Sequence, residues 1–350
     1  MSLTLALVLV AVVVVAAMVA HSVWSARQAT PKRATVVLPT PEQRVDPSLL
    51  HSAHGTADAA AEPRAPEPRA LRRAPRIDAL IDAIATLTLE APVSAEHVLA
   101  HLPAQRRAGS KPMHFEGLNA DSGEWEPLAD GQRAGQRYGE LQVGVQMANR
   151  SGALNEIEYS EFAQLVQGFA EGVAAMADLP DMLDVVARAR ELDNFASPND
   201  VQLTVQLRDQ GVAWSPGYVQ QVAARHGFMP AGVAGRLVLP AAEEGAPPLL
   251  LVAFDPQAAL ADDPNQAVLR ELTLSLDVPQ SAEAAEPFAT WQEAARGLAA
   301  DMEGTLVDDD GRPITLHHFA TIAGELKTIY TTLEARDMAA GSAVARRLFS

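Results

Sequence analysis

The chain has 350 residues, no cysteine and a formal charge of −17. That length holds one large or two ordinary domains, and the lack of cysteine excludes disulfides, thiolate metal sites and cysteine nucleophiles. Residues 25–76 carry nine basic and five acidic side chains, which leaves 18 basic against 39 acidic beyond them. A folded surface of that sign repels nucleic acid, so nucleic acid is not an expected partner.

Residues 3–20 are an apolar run interrupted only by Thr4, and with Val23 and Trp24 they approach the roughly 20 residues that cross a bilayer. No charged side chain precedes residue 20, so a basic leader region is missing and residues 1–24 are expected to stay as a transmembrane anchor. Arg27, Lys32 and Arg33 follow at once, which places the N-terminus outside and the C-terminal bulk in the cytoplasm. The competing reading is a signal sequence cut near Ala20 and a periplasmic protein. Residues 25–75 hold eight prolines, many alanines and mixed charge, and nothing there can bury a face; they are expected to be a disordered linker.

Beyond the linker two stretches, 76–197 and 198–338, show the same order of patterns. In the second, Val201, Leu203, Val205 and Leu207 alternate with polar residues, as a half-buried strand requires. Ser215 and Pro216 then open a helix, which Gly227 closes. In the first, a strand over 81–89 leads to Ser94, 121 residues before Ser215. Each stretch continues with a hairpin (113–117 with 125–128; 236–239 with 249–254) and another alternating strand (141–147; 272–278). A helix follows, over 159–176 with Phe162, Val166 and Phe169 inward, and over 287–302 with Trp291, Ala295 and Leu298 inward. The second stretch adds a strand at 305–307 for which the first has no clear equivalent, and both finish on a helix, over 181–192 and 315–336. Residues 339–350 are expected to fray. The fold class is therefore α+β, two tandem copies of an antiparallel sheet with helices on one face and the other face open.

Enzyme chemistry finds no support. His97 and His101 have the spacing of a helical zinc pair, but Glu96 precedes them and no third ligand follows; surface histidines account for them. Asp308, Asp309 and Asp310 form an acidic turn without the alternating ligands of a calcium loop. His317 and His318 are adjacent and face apart. No glycine-rich phosphate loop or nucleophile elbow follows any strand, so no catalytic residue, metal or cofactor is expected.

The layout of anchor, Pro-rich linker and C-terminal block resembles the ZipA family of cell-division proteins, whose C-terminal domain binds FtsZ. The residues that carry the resemblance are the strand 201–207, Gly227 and Phe228, residues 248–254, the run 272–279, and above all 304–309 before the final helix at Thr315. It covers the second stretch and the layout; the first stretch matches only through the repeat. The resemblance implies a single-pass protein of the bacterial inner membrane whose open sheet face holds the C-terminal peptide of FtsZ. On this chain that face carries Gln202, Thr204, Leu251, Ala253, Thr273 and Ser275, with Asp277 at its end, and Gln142, Gly144 and Gln146 are the outward set of the first copy. The family's groove is floored mainly by apolar side chains, whereas here only Leu251 and Ala253 are apolar. A weaker complex, or another protein as ligand, is expected.

Overall fold

Residues 76–129, 135–243, 245–261, 263, 266–314 and 316–350 are described by the computed structural model, excepting the side chains of 316–318. The expected anchor and linker, Thr315 and the imidazoles of His317 and His318 lie outside the described residues. Among those described, no helix is long and apolar enough to cross a membrane. The fold is α+β with antiparallel sheets. It divides into two units, 76–190 and 191–350, the chain passing from one to the other within a single helix.

The first unit begins with β1 (Asp82–Ser94), longer than its apolar alternation because it runs directly into the helix α1 (Ala95–Ala100). Ser94 ends the one and caps the other, its hydroxyl accepting from the His97 N–H. Next come β2 (Arg107–Ala108), β3 (Lys111–Asn119), β4 (Trp125–Pro127) and β5 (Arg137–Gln146). A small hairpin of β6 (Ala148–Asn149) and β7 (Gly152–Ala153) leads to α2 (Glu156–Gly172). Asn155 and Glu158 form a capping box there, which starts the helix three residues before the apolar pattern does. β8 (Ala175–Asp178) and α3 (Met182–Ala196) follow.

The second unit consists of β9 (Gln202–Asp209), α4 (Pro216–Arg225), β10 (Met229–Pro230), β11 (Arg236–Leu239), β12 (Leu250–Ala253), the short α5 (Pro256–Ala259), β13 (Glu271–Asp277), α6 (Pro287–Met302), β14 (Gly304–Val307), α7 (Leu316–Glu334) and α8 (Ala343–Leu348). Ser215 accepts from the Tyr218 N–H at 3.1 Å and Gly227, at φ 83°, turns the chain out of α4.

Strand order across the two sheets agrees over four strands, β3, β5, β1, β8 and β12, β13, β9, β14. In the first it is β2, β3, β5, β1, β8, with β4 also on β3; in the second it is β10, β11, β12, β13, β9, β14. Outside the shared four the order differs, because β4 follows β3 in the chain whereas β11 precedes β12. Residues 113–117 therefore stand where 250–253 do and not, as the order of patterns implies, where 236–239 do. In each, the first long strand lies between the last long strand before the long helix and the strand that follows that helix. The registers agree as well: Leu87 stands opposite Leu141 and Ala177, and Leu207 opposite Leu272 and Leu306. Phe162, Val166, Phe169 and Val173 are buried from α2 and its end at the same spacing as Trp291, Ala295, Leu298 and Met302 from α6. The buried sheet faces are supplied by Ala83, Ala85, Leu87, Leu141, Val143 and Val145 in one unit and by Val205, Leu207, Val252, Leu272, Leu274 and Leu276 in the other.

Three expectations are corrected. The first unit does have a strand after its long helix, β8, and α2 stops four residues before Met176. Ala174 adopts φ 53° and ends the helical path two residues past Gly172, the last residue of the helix. The C-terminal residues do not fray: α8 buries Ala345 and Leu348, and Phe349 beyond it is buried too. Gln280 anchors that end, its Nε2 donating to the Phe349 carbonyl at 2.7 Å. Finally, the sheet face of the first unit that faces away from the helices is not open, because residues 76–78 lie against it.

Candidate peptide-binding face

Side chains opposite one another in an antiparallel pair share a face, so the pairing registers assemble the outer face of the second sheet row by row. One row runs Val238, Leu251, Ser275, Thr204; the next runs Arg236, Ala253, Thr273, Gln206, Val307. Asp277 and Gln202 pair at one end, and their side chains hydrogen-bond at 3.3 Å. All six residues expected at the site therefore share this face. Gln202 and Thr204 are exposed, while Leu251, Ala253, Thr273 and Ser275 are half-buried.

The centre of the face is less polar than its residue types suggest. Ser275 Oγ donates to the Leu251 carbonyl at 3.3 Å, so its one O–H is engaged within the sheet and only its acceptor lone pairs remain. Val238, absent from the sequence-based set, stands opposite Leu251 and enlarges the apolar patch. Its alternation in Arg236–Leu239 marks it as outward, but only the register with β12 brings it beside Leu251. Gln206 and Arg236 are likewise additions.

Polar groups bound the patch. Arg208 donates from Nη2 to Gln206 Oε1 at 2.9 Å and lies 3.6 Å from a Glu271 carboxylate oxygen. Beyond β14 the chain returns through Asp308 and Gly311, with Ile314 N–H donating to the Leu306 carbonyl at 3.1 Å, and Val307 is buried there. From β11 to β9 the face is half-buried at Val238, Leu251, Ala253, Thr273, Ser275 and Gln206 and exposed at Arg236 and Thr204. Ala253, Thr273 and Ser275 are its small side chains, beside the larger Val238 and Leu251, and leave room for an anchor supplied by a ligand.

The first unit fills the same positions differently. Its rows are His114, Gly144, Ile84 and Glu116, Gln142, Thr86, standing where Leu251, Ser275, Thr204 and Ala253, Thr273, Gln206 stand in the second. Glu116 is wholly buried, and its carboxylate accepts the Arg76 N–H, the Ile77 N–H at 3.0 Å and Gln142 Nε2 at 2.9 Å. Gln146, expected to point outward, is also buried, donating to the Ala148 carbonyl at 2.7 Å.

Elsewhere, His101 Nδ1 donates to the His97 carbonyl at 2.9 Å, with the two rings 4.5 Å apart. Asp308 turns inward on its own loop, accepting the Arg312 N–H at 2.7 Å, while Asp310 pairs with the Arg312 guanidinium at 3.4 Å. Among the described residues no three histidine or carboxylate side chains are grouped to hold a metal. No protein-family model matches the chain, and no curated protein matches it.

Proposed function

We propose that this chain is a membrane-anchored cell-division adaptor of the ZipA type, in which the unit 191–350 binds the C-terminal peptide of FtsZ and residues 3–24 hold it to the inner membrane. On this reading the two units are tandem copies of one ZipA C-terminal-like domain, the first divergent. The observation that carries it is the face of β11, β12, β13 and β9, floored by Val238, Leu251, Ala253, Thr273 and Ser275. Its opposite side is already occupied by the core, so a partner segment has one side on which to lie. The order of anchor, linker and domain supports the cellular setting, with the domains cytoplasmic.

A second reading, a membrane-anchored scaffold that binds a different protein through the same face, is favoured by the polar floor itself. Thr204, Thr273 and Gln206 give a greasy anchor less to bury against than a wholly apolar groove would.

Titration of an FtsZ tail peptide against the full chain and its Ala253→Glu and Ser275→Arg variants tests both. The first reading expects binding by the wild type and a loss of about 30-fold, on the order of 2 kcal/mol, in each variant with folding retained. Equal binding by all three removes the ligand from this face. No binding by any favours the second reading.

A further inference from the structure

The sheet face of the unit 76–190 carries its own occupant. Residues 76–78 have no regular structure, yet the first two donate their backbone N–H groups to Glu116, a carboxylate 0% exposed on the side of the sheet away from the helices. Ile77 lies over Gly144: a Cβ placed on that glycine would come within 3.0 Å of Ile77 Cγ2 and 3.1 Å of Cγ1. Asp78 then fixes the turn into β1, its N–H donating to Asp82 Oδ2 at 2.7 Å and its carbonyl accepting the Ile81 N–H at 3.1 Å.

A main chain held by a side-chain carboxylate and seated by one branched aliphatic residue on a missing side chain is held as a bound peptide is, by a few directed hydrogen bonds and one pocketed anchor. From this we infer that the sheet face of the first unit is a peptide site closed in cis by residues 76–78. Its ligand class is a segment that offers two successive backbone N–H groups to Glu116 and a β-branched aliphatic side chain to Gly144. Because the occupant is part of the same chain, its effective concentration is roughly millimolar or above, and an external peptide of equal affinity cannot compete until the segment is displaced. The inference is independent of what the unit 191–350 binds.

The test uses the full chain. In the Ile77→Asp variant a carboxylate is brought to the seat beside Glu116, and the segment is expected to leave: exchange of the Arg76 and Ile77 amide hydrogens rises at least about tenfold while that of β1 is unchanged. A fluorescent peptide of residues 70–80 with the native sequence then binds this variant and not the wild type, and adding Glu116→Ala abolishes the binding. Gly144→Val, which fills the seat instead of removing the occupant, is expected to release the segment without creating a binding site. Wild-type amides at 76 and 77 that exchange as freely as open chain overturn the inference. So does an Ile77→Asp protein that frees the segment and still fails to bind the peptide.

Discussion

Ala174 and Glu303 hold the same left-handed backbone conformation, φ 53° and φ 51°, each at the residue just before the edge strand that pairs with the first long strand of its unit. Each ends the path of a long helix and turns the chain at once into β8 or β14. A non-glycine side chain in this region costs about 1–2 kcal/mol, and the same cost is met at the same point of both units. The reversal is set by the need to bring the next strand alongside β1 or β9.

Glycine at either position removes that strain and gives back part of the gain as chain entropy. Ala174→Gly and Glu303→Gly are each expected to raise unfolding free energy by about 0.5–1 kcal/mol in urea titrations, and the pair to add. A loss in either would mean that the side chain makes a contact worth more than the strain.

Tyr330 is 7% exposed, and its hydroxyl is buried with no hydrogen-bond partner among the described residues. Burial, and secondarily the charge of Glu283, push its phenol up to about 12. Tyr330→Phe deletes the unpaired hydroxyl and keeps the ring, so stability at pH 7 is expected to hold or rise by about 1 kcal/mol. The raised value also sets a sign. The wild type loses stability as pH climbs from about 10 toward 12, because the unfolded chain ionises first, and the variant lacks that contribution. Chemical denaturation at pH 7 and pH 11 measures both; a drop above 1 kcal/mol at pH 7 would reveal a partner for the hydroxyl.

Glu158 closes a small buried network in the first unit. Burial pushes its carboxyl up, but hydrogen bonds from Ser110 Oγ at 2.7 Å, Ser110 N–H at 2.8 Å and Asn155 N–H at 3.2 Å, with Lys111 nearby, bring it below the usual carboxylate range. A lowered folded-state value contributes stability above the unfolded value of about 4.3, lost as pH falls through the folded one. Glu158→Gln is therefore expected to be less stable than wild type at pH 7, with the gap narrowing toward pH 3 in urea midpoints. A gap that stays constant with pH would show that the carboxylate's charge is immaterial.

The C-terminal end is held by Gly341, which donates to the Pro279 carbonyl at 2.9 Å, and by Arg346, 2.7 Å from Glu243. Leu348 and Phe349 are each 1% exposed. Removing residues 343–350 uncovers what these two side chains bury, at about 1.5–3 kcal/mol apiece. That is a large part of the 5–15 kcal/mol typical of a whole domain. Thermal melts followed by circular dichroism should show the truncated chain unfolding well below the full one; coincident melts would mean that the end is packed without consequence.

Much of the fold is local chemistry and could be read from the residues in order. Alternation sorted Val205 and Leu207 from Thr204 and Gln206, and Leu274 from Thr273 and Ser275, because a strand turns successive side chains to opposite faces whatever it pairs with. Ser94 and Ser215 marked helix starts by the geometry of a cap, and Phe162 and Trp291 marked the inner stripes of two long helices. The face carrying Gln202, Thr204, Leu251, Ala253, Thr273 and Ser275 followed from the same parity. Other features depended on partners distant in the chain. β8 is only four residues, Ala175–Asp178, with its one large apolar side chain, Met176, exposed, and it is a strand only because β1 pairs with it. Val238 joins the candidate site only through its register with Leu251. Leu348 and Phe349 are core because Gln280 and Pro279 hold the end of the chain over them. Ile77 covers the first unit's face because Gly144 leaves a space and Glu116, 39 residues away, takes its amide. Periodicity states which side of an element is apolar; what comes to lie against that side is settled only when distant segments meet and exclude water together.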